Sequence, residues 1–233
     1  SSAASDVYKR QMSISENGTY SGSAPEGEAY YRLDIKQAEV VTMTFEAYQR
    51  NEARIILYDN EYVEINRMYA SYDGNRNAAY TKVNLYLCPG SHYIELGVSK
   101  DATYSFQLSS KDVIETFPES QTDRNDILSQ AKRITLEQKV YGMIGNGDKQ
   151  DFYIFDMPFS GNLVVSHTNY IENGYAGYEI LNSEGNSIRY FETNYDNNKG
   201  YAYDKDFVTL DKGRYYIKVC GNKNGPYHFV MSV

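Results

Sequence analysis

The segment 208–233 constrains the fold of this chain more than any other. It reads Val-Thr-Leu-Asp-Lys-Gly-Arg-Tyr-Tyr-Ile-Lys-Val, then a Gly/Asn-rich turn, then Pro-Tyr-His-Phe-Val-Met-Ser-Val. Large apolar and polar residues alternate on both sides of the turn, the period-two pattern of half-buried strands. The same pattern occurs once before. Leu87, Gly90, Tyr93, Ile94, Tyr104 and Phe106 precede Leu210, Gly213, Tyr216, Ile217, Tyr227 and Phe229 by 123 positions. Ala53 and Ala176, Leu57 and Ile180, Ile65 and Ile188, Tyr72 and Tyr195, and Asp73 and Asp196 keep that spacing, while Tyr31 and Tyr153 are 122 apart. One offset held across the later half of each unit implies a duplication.

The expected organisation is a first β domain at 12–110, a linker and entry segment at 111–133, and a second β domain at 134–233. In the first domain strands are expected at 30–35, 40–48, 54–58, 63–69, 82–87, 92–98 and 104–108. In the second they are expected at 140–144, 152–156, 162–167, 178–181, 187–192, 207–210, 214–219 and 227–231. Asp73-Gly74 and Pro89-Gly90 are turn signals between strands. The end of the linker, Asp126-Ile-Leu-Ser-Gln-Ala-Lys-Arg133, reads either as a short helix capped by Asn125 or Asp126, or as an extended entry. Short strands at this spacing, with no long helical pattern, predict an all-β chain: two tandem antiparallel jelly-roll-like β-sandwich domains. The repeated tyrosines are expected in or at the edge of the core.

A net charge of −8, with no basic run, argues against a nucleic-acid partner. No apolar run reaches membrane-spanning length. Cys88 and Cys220 are not repeat-equivalent and fall in different domains, which argues against a disulfide. His92, His167 and His228 lie in expected strands at non-equivalent positions, without a zinc pair or a nucleophile elbow, and Ser91 and His92 point to opposite faces. A structural role is expected for all three, and no catalytic residue is assigned.

Residues 1–11, SSAASDVYKRQ, match codon for codon the translation of a widely used transposon sequencing adapter. They are read as an artefact, with the natural chain expected to continue upstream of Met12.

The second half carries Asp148-Lys-Gln-Asp151-Phe-Tyr153-Ile-Phe155, Leu210-Asp-Lys-Gly213-Arg-Tyr215-Tyr216-Ile-Lys-Val219, and Gly225-Pro-Tyr227-His-Phe229. Upstream stand Asp123-Arg-Asn125-Asp126, Ala131 and Val140-Tyr-Gly142-Met-Ile144. In this order the motifs resemble the bacterial pre-peptidase C-terminal domain, here in two copies, and so the collagen-binding domains of bacterial collagenases. The resemblance implies jelly-roll-like sandwiches in secreted proteins, non-catalytic, often following a peptidase, and commonly binding calcium near the N-terminal linker.

Calcium takes several oxygen ligands, mixing carboxylates and carbonyls. Asp123, Asn125 and Asp126 lie on the entry segment, and Asp148 and Asp151 lie before and at the start of a strand. If the entry folds across that loop, four carboxylates and an amide converge, and such a cluster repels itself without a cation. The resemblance places the calcium ligands of its collagen-binding members at these positions, with Gln121 where a further acid is expected. In the first domain Ala29 stands in the place of Asp151, and no intact site is expected there. Tyr170, Tyr175, Tyr190, Tyr201 and Tyr203 lie near turns and are the candidate ligand-binding residues, since flat aromatic groups stack on sugars and pack on fibrous polypeptide. The functional expectation is a monomeric, calcium-stabilised binding or targeting module, secreted or at a bacterial cell surface. Its partner would be an extracellular polymer, a collagen-like protein or a polysaccharide. A carbohydrate-binding or adhesin-like surface protein without an attached peptidase is the alternative.

Overall fold

Strand alternation governs the described structure, a computed structural model covering residues 11–111, 125–145, 149–171 and 175–233. The chain divides into two compact units, 1–114 and 115–233. In the first, the strands are β1 (Met12–Ile14), β2 (Gly18–Ala24), β3 (Glu28–Ile35), β4 (Glu39–Ala47), β5 (Ala53–Tyr58), β6 (Glu64–Asp73), β7 (Ala78–Leu87), β8 (Gly90–Gly97) and β9 (Ala102–Lys111). One layer runs β1-β3-β8-β5-β6 and the other β7-β4-β9-β2. The long strand β6 turns the corner between them: its first part pairs with β5, and Ser71, Tyr72 and Asp73 pair with β7.

The second unit holds β10 (Lys132–Arg133), β11 (Val140–Ile144), β12 (Gln150–Met157), β13 (Gly161–Asn169), β14 (Ala176–Leu181), β15 (Ser187–Thr193), β16 (Ala202–Leu210), β17 (Gly213–Gly221) and β18 (Gly225–Ser232). Its five-stranded sheet runs β10-β12-β17-β14-β15, and its four-stranded sheet β11-β18-β13-β16. Read in chain order, each unit has the same strand order in both layers. The fold is an all-β sandwich. It departs from a purely antiparallel one at one edge of each unit, where β1 pairs with β3 and β10 with β12 in parallel.

Inward residues alternate along each strand and build one core per unit. Tyr31, Leu33, Phe45, Ile55, Leu57, Ile94, Leu96, Tyr104 and Phe106 are buried in the first, and Tyr153, Phe155, Val165, Tyr178, Ile180, Ile217, Val219, Tyr227 and Phe229 in the second. Of the repeated tyrosines, Tyr31, Tyr104, Tyr153 and Tyr227 are in the cores, Tyr93 is buried, Tyr195 and Tyr216 are half-buried, and Tyr72 is 40% exposed, which corrects the expectation for that residue. Tyr31 and Tyr104 meet hydroxyl to hydroxyl at 2.7 Å, and so do Tyr153 and Tyr227. A glycine faces the second pair. Gly142 lies opposite Tyr227 across the β11–β18 ladder, and a Cβ there would fall 2.1 Å from the tyrosine ring. The Val-x-Gly-x-Ile stretch therefore needs a residue without a side chain at its centre.

Two further expectations are corrected. The entry segment does form one turn of 3-10 helix, Leu128–Gln130, but its N-cap is Ile127, and neither Asn125 nor Asp126 caps it. The Asp73-Gly74 turn exists, but its left-handed residue is Asn77 and not the glycine. Asp73 organises that loop by accepting from the Asn75 amide, and Asp196 accepts in the same way from the Asn198 amide in the second unit. Neither Cys88 nor Cys220 is in a disulfide among the described residues. No helix among the described residues is long and apolar enough to cross a membrane.

Candidate functional site

The entry segment of the second unit is laid against the start of β12 by backbone geometry. The amide of Phe152 donates to the carbonyl of Asn125 at 2.8 Å, and Asn125 Nδ2 donates to the carbonyl of Phe152 at 3.2 Å. Gln150 Nε2 reaches the carbonyl of Asp126 at 3.1 Å. Asn125 and Asp126 thus flank Gln150 to Phe152, and Asp151 lies between those two β12 residues. Asp151 points inward with Tyr153 and is fully buried. Its Oδ2 accepts the hydroxyl proton of Tyr227. A phenol has one proton to give, so Tyr153 is the donor in its bond to Tyr227 when Asp151 is a carboxylate.

These residues suit a hard cation on one observation. Oδ1 of Asn125 and Oδ1 of Asp126 are buried acceptors to which no described residue donates. A buried acceptor left unmatched is costly, and oxygen acceptors of this kind are what calcium coordinates. The described part of the set is one amide and two carboxylates. Asp123 and Asp148 lie outside the described residues. Among the described residues no group of three or more His, Cys, Asp or Glu side chains converges.

The five tyrosines singled out from the sequence separate onto two surfaces of the second unit. Tyr175 and Tyr190 stack with ring centroids 6.2 Å apart and planes at 19°, joined through their hydroxyls, on the outer side of the five-stranded sheet. Tyr170 and Tyr201 meet at 6.0 Å beside the four-stranded sheet. Tyr203 projects from the outer face of that sheet, 53% exposed. Register puts Tyr203 in one row with Thr168, His228 and Tyr141. The rings of Tyr141 and His228 are 5.9 Å apart, and Lys139 Nζ sits 5.1 Å from the centre of the Tyr141 ring. Four residues further along β16, Phe207 is 60% exposed beside a hollow of about 360 Å³ formed with Asn162, Val164 and Lys205. Tyr141, His228 and Phe207 were not singled out from the sequence. The signal for Tyr141 was present: Gly142 must face Tyr227 in the core, which turns its neighbour outward.

The three histidines sit in strands β8, β13 and β18. His92 is buried, donates through Nε2 to the carbonyl of Cys88 at 2.9 Å, and has its pKa lowered by burial. Ser91 instead bonds Asp34 on the outer side, so the two form no nucleophile–base pair. His167 is fully buried and its pKa is pushed down to about 3 by burial; His228 is pushed down to about 4 for the same reason.

No family model matches the chain, and no curated protein matches it. Among solved structures, the pre-peptidase C-terminal domain of a collagenase from Bacillus anthracis is similar at 19% identity, covering 48% of this chain and 100% of that one, with a TM-score of 0.36. CsCBM6-3 from Clostridium stercorarium, solved with cellobiose, is similar at 13% identity, covering 42% of this chain and 97% of that one, with a TM-score of 0.30. The isomalto-dextranase of Arthrobacter globiformis T6, solved with panose, is similar at 11% identity, covering 90% of this chain and 36% of that one, with a TM-score of 0.27. Likenesses of this order carry no argument about what this chain binds.

Proposed function

We propose that this chain is a non-catalytic binding or targeting module of a secreted or cell-surface bacterial protein. It would hold an extracellular polymer, collagen-like or polysaccharide, on the outer face of the four-stranded sheet in the second unit. The observation that carries the reading is the row Tyr141–His228–Thr168–Tyr203, with Phe207 beside it. Half-buried rings at Tyr141 and His228 and exposed ones at Tyr203 and Phe207, set along one sheet face, suit an extended ligand that offers repeated apolar surface. In the same reading the second unit takes calcium at Asn125, Asp126 and Asp151, with Asp123 and Asp148 as further donors. The ion would supply positive charge among the carboxylates. The residues themselves hold the entry segment against β12.

The test of polymer binding is a pull-down of the full chain on insoluble collagen, gelatin, cellulose and xylan. Retention on one polymer, lost in Tyr203→Ala, supports this face. Retention on a polysaccharide alone favours the carbohydrate-binding or adhesin-like reading over the collagen-binding one. No retention on any of the four, or full retention by Tyr203→Ala, overturns the assignment of this face.

A further inference from the structure

A second recessed surface lies on the outer face of the five-stranded layer of the first unit. Its centre is a row fixed by register across four strands: Tyr69 on β6, Arg54 on β5, Gly97 on β8 and Glu28 on β3. Gly97 presents no side chain to this face, and the Arg54 side chain lies across it, its Nε 3.2 Å from where a Cβ would stand and its Nη2 4.0 Å from Glu28 Oε1. The groove above this row has a volume of about 480 Å³, and Glu52 and Lys100 also line it. That volume is in the range of small-ligand sites, roughly 300–1,000 Å³.

The side chains are held in place before any ligand arrives. Arg54 Nη2 donates to Glu95 Oε1 at 2.5 Å, and Glu95 also accepts from the Tyr58 hydroxyl at 2.8 Å. Glu28 accepts from the Tyr30 hydroxyl at 2.6 Å. Arg54 nevertheless keeps donor capacity: its guanidinium carries five N–H groups, the bond to Glu95 uses one through Nη2, and its side chain is 38% exposed. Tyr69 is 50% exposed and forms the groove's open aromatic side. The matching row of the second unit is Glu192–Gly177–Cys220–Gln150. There Gly177 takes the place of Arg54 and Cys220 that of Gly97, and the Tyr190 ring lies over the row, its hydroxyl 2.3 Å from where a Cβ on Gly177 would stand. The recess is a property of the first unit.

From this geometry we propose that the groove binds a neutral oligosaccharide. Its charges select against anions: Glu26, Glu28 and Glu52 face Arg54 and Lys100, and Arg54 is already matched by Glu95. The lining is too polar for an apolar ligand. A sugar hydroxyl accepts from the fixed guanidinium and donates to the Glu28 carboxylate in one place, and the apolar face of the ring lies on Tyr69. The site shares the binding-module reading but uses none of the residues of the Tyr203 face, so either can fail without the other.

The test is isothermal titration of the full chain with cellohexaose, xylohexaose, maltohexaose and mannohexaose, with hexagalacturonate as the acidic control. At least one neutral sugar binds at a single site, Tyr69→Ala weakens it at least tenfold, and Tyr203→Ala leaves it unchanged. Gly97→Ala, whose Cβ would lie 3.2 Å from Arg54 Nε, weakens it as well by pushing the guanidinium out of its place. Thermal melting of each variant establishes that it is folded. Binding of none of the four neutral sugars at 1 mM, stronger binding of the acidic control, or undiminished binding by folded Tyr69→Ala overturns the proposal.

Discussion

Tyr227 donates its hydroxyl proton to the buried carboxylate of Asp151, and the Tyr104 of the first unit has Ala29 at the corresponding place. The two tyrosine pairs are otherwise alike, each meeting at 2.7 Å. One residue separates the two: Ala29 offers Tyr104 no acceptor, whereas Asp151 offers Tyr227 a buried carboxyl oxygen, a charged acceptor when ionised.

Removing the hydroxyl therefore has unequal effects. Tyr104→Phe deletes a neutral hydrogen bond and is expected to cost about 1 kcal/mol. Tyr227→Phe strips a charged acceptor of its donor and is expected to cost about 2–3 kcal/mol. In an Asp151→Ala background, which copies the first unit, the cost of Tyr227→Phe falls to that of Tyr104→Phe. Urea unfolding of the four variants measures this as a double-mutant cycle. Equal costs for the two single tyrosine variants would refute the charged-acceptor account.

Calcium addition is expected to raise the stability of the second unit. For a dissociation constant of about 0.1–1 mM, 10 mM calcium adds roughly 1.4–2.7 kcal/mol. Chelator removes the gain, and Asp126→Ala and Asp151→Ala each reduce it. Melting curves with and without chelator decide the matter, and an unchanged midpoint in the parent chain removes the ion from this account.

The all-β sandwich was legible because alternation of large and polar residues survives in nearly every core strand, from Glu28–Ile35 to Gly225–Ser232. Three strands escaped: Met12–Ile14 alternates but is only three residues long on a parallel edge, and the other two have no such pattern. Gly18–Ala24 reads Gly-Thr-Tyr-Ser-Gly-Ser-Ala, and Lys132–Arg133 is two exposed residues on a parallel edge. At the site, the acids were visible as residue types, and the structure lays Asn125 and Asp126 along β12. The Tyr227–Asp151 bond was not legible, because it joins residues 76 apart and depends on strand register. The groove of the first unit was hidden for a related reason. Nothing local to Gly97 says that Tyr69, Arg54 and Glu28 share its row.

A collision is expected at Gly142. A Cβ there lies 2.1 Å from Tyr227 Cζ, a ring pinned by Tyr153 and Asp151. At Gly22 the nearest atom is the Tyr104 hydroxyl at 2.7 Å, in a pair without the carboxylate. Gly142→Ala is expected to cost about 3 kcal/mol, the upper end for overpacking, and Gly22→Ala about 1–2 kcal/mol. Chemical denaturation followed by tyrosine fluorescence ranks the two, and the reverse order would show that Tyr227 moves freely.

His167 sets the acid sensitivity of the second unit. It faces Phe229 across the β13–β18 ladder as Phe45 faces Phe106 in the first unit, so it occupies a phenylalanine's place in the core. Both its ring nitrogens are buried without hydrogen-bond partners among the described residues, and burial lowers its pKa to about 3. An unfolded histidine titrates near 6.5. Between these values the unfolded chain takes up a proton that the folded chain refuses, so stability falls as the pH is lowered through that window and is flat above it. The slope from this residue approaches about 1.4 kcal/mol per pH unit. His167→Phe should remove that part of the slope and be tolerated in volume, since Phe45 fills the matching position. His228, half-buried and lowered to about 4, keeps a smaller dependence in the same direction. Denaturation midpoints from pH 4 to pH 8 check this. Parallel curves for the parent and His167→Phe would mean that the folded unit protonates His167 as readily as the unfolded chain does.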